Sequence, residues 1–277
     1  MLFTEICFAG DDGCELRAWV SPPCPEIDNP TPIVLLHGGG PDHRMFLPLA
    51  ESMPGDFMVI LPDIRGYGRS LCRDASCHRW SQYASDVIAL LDALRISRAI
   101  IGGAGLGGTI ALRVAVEHPG HVLAVVVIGL EDIEDDEAKQ AEIRLMDEFA
   151  ERARRDGIAA AWEPLFPHLS PVIATLVRDA IPGADPASIA AAAAIGRDRS
   201  FTSPHELAAI AVPTLLFPGA DARHPEELAK AVAKIIPKAE VAGISMSGQL
   251  ETSDDFARAF GPEITGFARK IRNEIDG

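Results

Sequence analysis

Ala99-Ile-Ile-Gly-Gly-Ala-Gly-Leu-Gly-Gly-Thr-Ile-Ala-Leu112 is the stretch on which the fold turns. A short apolar run, Ala99–Ile101, passes through a cluster of glycines into Thr109–Glu117, which has the composition of a helix. The runs around it repeat that plan. Ile33–Leu36 ends in His37-Gly38-Gly39-Gly40, and Phe57–Leu61 ends in Pro62-Asp-Ile-Arg-Gly-Tyr-Gly-Arg-Ser70. Unbroken apolar runs of this length are strands buried on both faces. Between them a helix is expected over Met45–Met53. Another is expected over Trp80–Leu94, where Tyr83, Val87, Leu90, Leu91 and Leu94 share one face. Val122–Ile128 is the next strand. Strand alternating with helix predicts an α/β chain with a parallel, doubly wound sheet.

Outward from this centre the pattern changes. Leu2–Phe8, the turn residues Ala9–Gly13 and Glu15–Val20 predict an antiparallel hairpin at one sheet edge. Glu131–Ser200 reads as helices punctuated by Pro164, Pro167, Pro171, Pro182 and Pro186. The sheet rhythm returns with Thr214–Phe217, a helix over Pro225–Ile236, a short strand near Glu240–Ala242 and an amphipathic helix over Phe256–Ile275. The expected organisation is a core of residues 1–130 and 204–277, with 131–203 inserted as a helical cap over the strand ends.

Composition narrows the function. Of 277 residues 48% are hydrophobic, enough for a large core. The 25 Lys+Arg stand against 40 Asp+Glu, a net charge of −15, and the sequence pI is about 4.9. That balance argues against a nucleic-acid groove or a polybasic membrane surface. No apolar run reaches the roughly 18 residues of a membrane span. The N-terminus Met1–Ile6 lacks a basic, leader-like region. Five cysteines, an odd count, suit a reducing compartment better than a disulfide framework. A cytoplasmic protein acting on a small molecule is the expectation, with no nucleic acid, membrane, metal or cofactor involved.

Four motifs in order resemble the α/β-hydrolase fold family over nearly the whole chain outside the helical insertion. They are His37-Gly38-Gly39, like the family's oxyanion loop; Asp63-Ile-Arg65-Gly66-Tyr-Gly68-Arg-Ser70, like its D-x-R-G-x-G-x-S turn; Gly103–Leu112, like its strand–elbow–helix; and Ala211–Ala222, like its late strand before the acid. The resemblance implies a mostly parallel eight-stranded sheet and a Ser-His-Asp triad. The triad positions depart from the pattern. The elbow reads G-x-S-x-G in the family, and here Gly103 and Gly107 frame Gly105. The acid register falls on Ala222, one residue after Asp221, and the base register falls on Met246, with no histidine after His224. Glycine adopts the strained elbow conformation without steric cost, so Gly105 is expected at positive φ. It either floors a ligand pocket or survives as a mere helix start.

Other groups remain candidates. The amides of Gly39 and Leu106 form the implied oxyanion-type pair. Glu131 and Asp132 follow a strand, so a carboxylate there can act as general base on water; with Glu134–Glu137 they also suit an acidic first helical turn. Gly103, Gly105 and Gly108 match G-x-G-x-x-G with an acid 23 residues on, a weaker dinucleotide reading. Cys72, Cys77 and His78 supply at most three zinc ligands and otherwise pack a loop. His43 is a candidate for ligand contact, and Trp162, Phe166 and His168 for lining a capped pocket. His224 is expected to pack beside the helix that starts at Pro225. The resulting expectations are ligand binding or cofactor-independent chemistry in a pocket with a degenerate triad, or divergent hydrolysis of esters, lactones or epoxides.

Overall fold

The computed structural model describes residues 2–131, 133–221, 223–246 and 248–276. Along the chain run β1 (Thr4–Ala9), β2 (Glu15–Val20), β3 (Thr31–Leu36), α1 (Leu47–Ser52), β4 (Phe57–Pro62), α2 (Trp80–Ala93), β5 (Ala99–Ala104), α3 (Leu106–Glu117) and β6 (Val122–Ile128). Four helices follow, α4 (Asp136–Asp156), α5 (Ile158–Trp162), α6 (Pro171–Ala180) and α7 (Pro186–Ala192). The chain then returns to the sheet through β7 (Thr214–Phe217), α8 (Glu226–Val232), β8 (Ala239–Val241) and α9 (Ser253–Asp276). The eight strands form one sheet in the order β1-β2-β4-β3-β5-β6-β7-β8. Only the pairs β1–β2 and β2–β4 are antiparallel.

Strand alternation divides the core. Val34 and Leu36 of β3 join one apolar cluster, while Ile33 and Leu35 join the cluster on the other face. β5 runs three residues beyond the expected Ala99–Ile101. A β-carbon on Gly102 would stand only 3.0 Å from Val126 and 3.3 Å from Leu35, so glycine lets these strands lie close. The first expected helix is divided into a 3-10 turn, His43–Phe46, and α1, because Pro48 enters the first turn of α1 and favours its start there. α9 begins earlier than expected, with Asp254 and Asp255 in its first turn, where the helix dipole favours them.

The segment α4–α7 has a small core of its own around Phe149, Ile158 and Ile189. Ile195 and Phe201 tie it to one sheet cluster, and Val172 and Leu176 tie it to the other. Polar links join it to loops after β3 and β4: Arg44 donates to the Asp179 carbonyl at 3.0 Å, and the Cys72 amide donates to Ser188 Oγ at 2.8 Å. Among the described residues no helix is long and apolar enough to cross a membrane.

Register sets the height of the strand ends. Ala104 pairs with Ile128, and Ile128 with Phe217. The residues leaving β5, β6 and β7 therefore emerge side by side at the C-terminal edge, where open α/β sheets build their sites. Leu36 pairs with Gly103, which places the His37–Gly40 loop beside them.

Candidate active site

Gly105 is the hinge between β5 and α3, with φ 50° and ψ −115°. The expected positive φ is present, and an L-residue there is strained. The glycines around it serve close packing. A β-carbon on Gly103 would stand 2.6 Å from the Leu36 carbonyl oxygen, one on Gly107 2.1 Å from the same atom, and one on Gly108 2.9 Å from Val127. These contacts account for the G-x-G-x-x-G pattern without a phosphate. The Leu106 amide is one of the N–H groups that a helix start leaves without an intrahelical partner.

A side chain at 105 would meet two groups. From the position of its β-carbon, His224 Nε2 lies 3.3 Å away and Glu131 Oε1 3.8 Å away. His224 reaches this point over two further glycines. Its ring lies 3.6 Å from a β-carbon built on Gly129, and its carbonyl oxygen only 2.1 Å from one built on Gly219. Its Nδ1 lies 2.8 Å from Asp221 Oδ1, which also accepts from the His224 amide at 2.9 Å. Burial disfavours the Asp221 charge, but the hydrogen bonds and charge of His224 hold its carboxyl below the usual carboxylate range. If Nδ1 carries the proton toward Asp221, Nε2 presents its lone pair to the space above Gly105.

This corrects the expected packing of His224 beside α8. It also corrects the expectation that the elbow lacks a histidine. Met246 is not within 4 Å of the β-carbon position at 105. Its amide donates to the Pro218 carbonyl at 3.3 Å, and its side chain packs against the second sheet cluster. Asp132 and Ala222 lie outside the described residues. The sequence offers one signal for His224: an Asp-x-x-His turn soon after β7 and its Gly219, with Gly129 directly after β6 and Gly105 directly after β5.

The His37–Gly40 loop is held from beneath. His37 is fully buried; its Nδ1 lies 2.7 Å from the Gly38 carbonyl and its Nε2 accepts from the Ile64 amide at 3.0 Å. Burial lowers its pKa and keeps it neutral, so it fixes the loop to the Asp63 turn. The Tyr67 hydroxyl lies 3.8 Å from a β-carbon built on Gly39, and burial together with Glu131 raises its pKa well above the ordinary value. Gly40, at φ 105°, is the seat of Trp162, whose ring would lie 2.6 Å from a β-carbon there.

Several candidates have other tasks. His43 stacks on Trp19 at 3.4 Å between ring centroids and pairs with Asp63 at 2.8 Å. With Asp42 they form a set of metal-type donors within 4.8 Å of one another, but Arg44 engages Asp42, and Asp63 also accepts from the His43 and Arg69 amides. His168 is exposed, and Phe166 lies under the Arg178 guanidinium at 4.2 Å. These positions put His168 outside the pocket lining expected of it, because its short turn points it to solvent. His78 bonds Tyr83 and the Cys72 carbonyl, with burial lowering its pKa to about 4. Cys72 and Cys77 are free thiols in that packed loop.

Beside the elbow is a cavity of about 160 Å³, sharing Glu131 with it. Trp80 and Phe201 form aromatic walls, and Glu134, Glu142, Lys139 and Arg223 bring charge to it. Glu142 accepts from Arg223 at 2.7 Å and from Lys139 at 3.0 Å, while Lys139 lies 3.4 Å from Glu134. Burial and a shared hydrogen bond with Glu142 raise Glu134 to about 7.

The family model described as alpha/beta hydrolase fold matches residues 31–169, and the chain belongs to this family. Among proteins it resembles is the 2-hydroxymuconate semialdehyde hydrolase of Pseudomonas sp. (strain CF600), 37% identical over 108 residues, which are 35% of this chain and 36% of that protein. The chain aligns with only a little over a third of the length of the curated relatives it matches. Solved structures match along almost their full length. A thermophilic esterase from Thermogutta terrifontis is 25% identical with a TM-score of 0.77, covering 98% of this chain and 99% of that one. The enol-lactonase of Burkholderia xenovorans LB400 is 22% identical with a TM-score of 0.79, covering 95% and 100%.

Proposed function

We propose that this member of the hydrolase fold binds a small molecule in a pocket capped by α4–α7 and acts on it without a covalent acyl-enzyme. His224, oriented by Asp221, serves as a general base, and the amides of Gly39 and Leu106 receive the negative charge that develops. The observation that carries the reading is the 3.3 Å between His224 Nε2 and the vacated side-chain position at Gly105. A serine hydroxyl would occupy that place in the family's usual chemistry, and glycine supplies none. What stays is a base, an acid that orients it and a donor pair, enough to abstract a proton next to a carbonyl and stabilise the resulting enolate.

The test is hydrogen–deuterium exchange next to the carbonyl of aldehydes, ketones, esters and lactones, followed by NMR in D2O. Wild type is expected to exchange at least one of them. His224→Ala should lower that rate by about 10²–10⁴, the usual contribution of a positioned general base. Exchange untouched by His224→Ala, or none with any compound, refutes the proposal. A second reading, favoured by the names of the esterase, the lactonase and the semialdehyde hydrolase, has His224 activate water on an ester, lactone or epoxide. Consumption of such a compound with no exchange next to its carbonyl would select it.

A further inference from the structure

We infer that the Tyr67 hydroxyl donates a hydrogen bond to the carbonyl oxygen of the molecule handled at Gly105, as a third donor beside the amides of Gly39 and Leu106. This rests on the elbow being the reacting centre, as proposed above. Two glycines outline the space. Leu36 pairs with Gly103, and a β-carbon on Gly38 would fall 3.6 Å from the Ala104 carbonyl oxygen. The residues that follow, Gly39 and Gly105, therefore stand at the same end of the sheet on adjoining strands. A β-carbon on Gly105 would meet His224 Nε2 and Glu131 Oε1, and one on Gly39 would meet the Tyr67 hydroxyl at 3.8 Å. Among the described residues, chain neighbours aside, no other atom comes within 4 Å of either position. Apolar side chains fill neither place, and every group that borders them is polar.

The hydroxyl is fixed in place and has no task within the fold. The Tyr67 amide donates to the Ile64 carbonyl at 2.9 Å, and its carbonyl accepts from the Ser70 amide at 3.0 Å. Its ring meets His37 edge-on at 5.5 Å between centroids, and packs against one sheet cluster and against the core of the α4–α7 segment. The other polar side chains of the turn all end in hydrogen bonds. Asp63 accepts from backbone amides, Arg65 donates to Asp12 and Asp86, Arg69 donates to Glu5, and Ser70 Oγ accepts from the Arg17 amide. The Tyr67 hydroxyl makes no hydrogen bond among the described residues. Burial and the charge of Glu131 raise its pKa, with Arg223 opposing them, so the phenol keeps its proton near neutral pH and can donate it. When His224 takes a proton from carbon, the electron pair of the broken bond forms the enolate and charge collects on oxygen. A donor already aimed at that oxygen gains strength as the charge develops, with no proton leaving the phenol.

The experiment uses the two tyrosines of the chain, labelled with 13C at Cζ, the Tyr67 signal being identified from Tyr67→Phe. Wild type is titrated with cyclopentanone, δ-valerolactone and methylenecyclopentane, the last carrying CH2 in place of the carbonyl oxygen. The Tyr67 signal is expected to shift saturably with at least one of the two carbonyl compounds. Tyr67→Phe keeps the ring and removes the hydroxyl. It should weaken binding of that compound about two- to tenfold, the worth of one neutral hydrogen bond, and leave methylenecyclopentane as it was. In the exchange assay the same variant should lower kcat by about 10², the usual cost of losing such a donor, with only the smaller binding factor appearing in KM. The inference is overturned by the lack of a saturable Tyr67 shift in wild type, by equal weakening of carbonyl and methylene probes, which marks a packing role, or by an unchanged kcat. The two readings fail separately. If wild type exchanges nothing while the Tyr67 shift and the probe preference are present, the base chemistry falls and the donor stands. If exchange depends on His224 and ignores Tyr67→Phe, the donor alone fails.

Discussion

The turn after β4 and the rim around Gly105 are both rich in charge, and they treat it in opposite ways. In the turn, Arg65 is 1% exposed and carries two carboxylates: Asp86 at 2.7 and 2.8 Å, and Asp12 at 2.7 and 2.9 Å. Asp63 accepts from two backbone amides and from His43, and His78 has a partner on each ring nitrogen. At the rim, Glu131 makes no ion pair within 4 Å among the described residues and acts on Arg223 only at longer range, and His224 directs one nitrogen at a position without a side chain. Buried polar groups that are fully satisfied specify a framework. Groups left unsatisfied at the mouth of a cavity are where a ligand gains its contacts. The turn after β4 is thus a closed polar framework, whereas the rim at Gly105 keeps a ring nitrogen aimed at a position without a side chain.

Stability should separate the two regions most sharply. Arg65→Met leaves Asp12 and Asp86 facing each other without a cation, and removing one partner of a buried ion pair costs about 3–5 kcal/mol. Glu131→Gln breaks no ion pair within 4 Å among the described residues, only a longer-range attraction to Arg223, and should stay within about 1 kcal/mol of wild type. Urea unfolding followed by circular dichroism measures both. If Arg65→Met is as stable as Glu131→Gln, the closed framework described for the turn is wrong.

Next in size is the return of a nucleophile. Restoring the family's three triad residues by register would require changes at 105, 222 and 246. With His224 and Asp221 already in place, Gly105→Ser alone should suffice. The new hydroxyl would meet Nε2 directly, at a stability cost of about 1–3 kcal/mol for the positive φ. Wild type is expected to resist a fluorophosphonate probe. Gly105→Ser should take up one label per chain and hydrolyse p-nitrophenyl acetate about 10²-fold faster than wild type, and Gly105→Ser/His224→Ala should do neither. Stoichiometric labelling of wild type would reveal a nucleophile elsewhere and end the comparison at its active side.

The sheet was legible because its strands are unbroken apolar runs ending in glycine-rich turns, and the positive φ at Gly105 followed from the same turn. The base was not. Counting along the chain by family register leads to Met246, whereas His224 arrives by folding back over Gly129 and Gly219, a path visible only when three strand ends stand side by side. Side-chain direction was equally hidden. Nothing in the letters distinguishes His43, stacked on Trp19, from a histidine that faces a ligand, and His168 carries no sign that its turn points it to solvent.

The smallest effect lies in Glu134, which joins the two kinds of region: it touches the ion-paired Lys139 yet lines the open cavity. Burial and the hydrogen bond with Glu142 raise its carboxyl to about 7, above the value near 4.3 of a free glutamate. The folded chain therefore holds this proton more tightly than the unfolded chain. Below about pH 4 both states are protonated and nothing is lost; as pH rises toward 7 the unfolded chain gives up its proton first, and above 7 the full penalty of ionising the folded group is present. Glu134→Gln mimics the protonated form. It should raise Tm slightly at pH 8, where the wild-type group is charged in both states, and by less at pH 5, where the folded group is still neutral and only the unfolded one has ionised, with the gain kept small by solvent around a partly exposed side chain. Differential scanning calorimetry at the two pH values decides it. A gain at pH 5 equal to that at pH 8 would mean that Glu134 is no part of a shared-proton pair, and the cavity's charges would then have to be counted again without it.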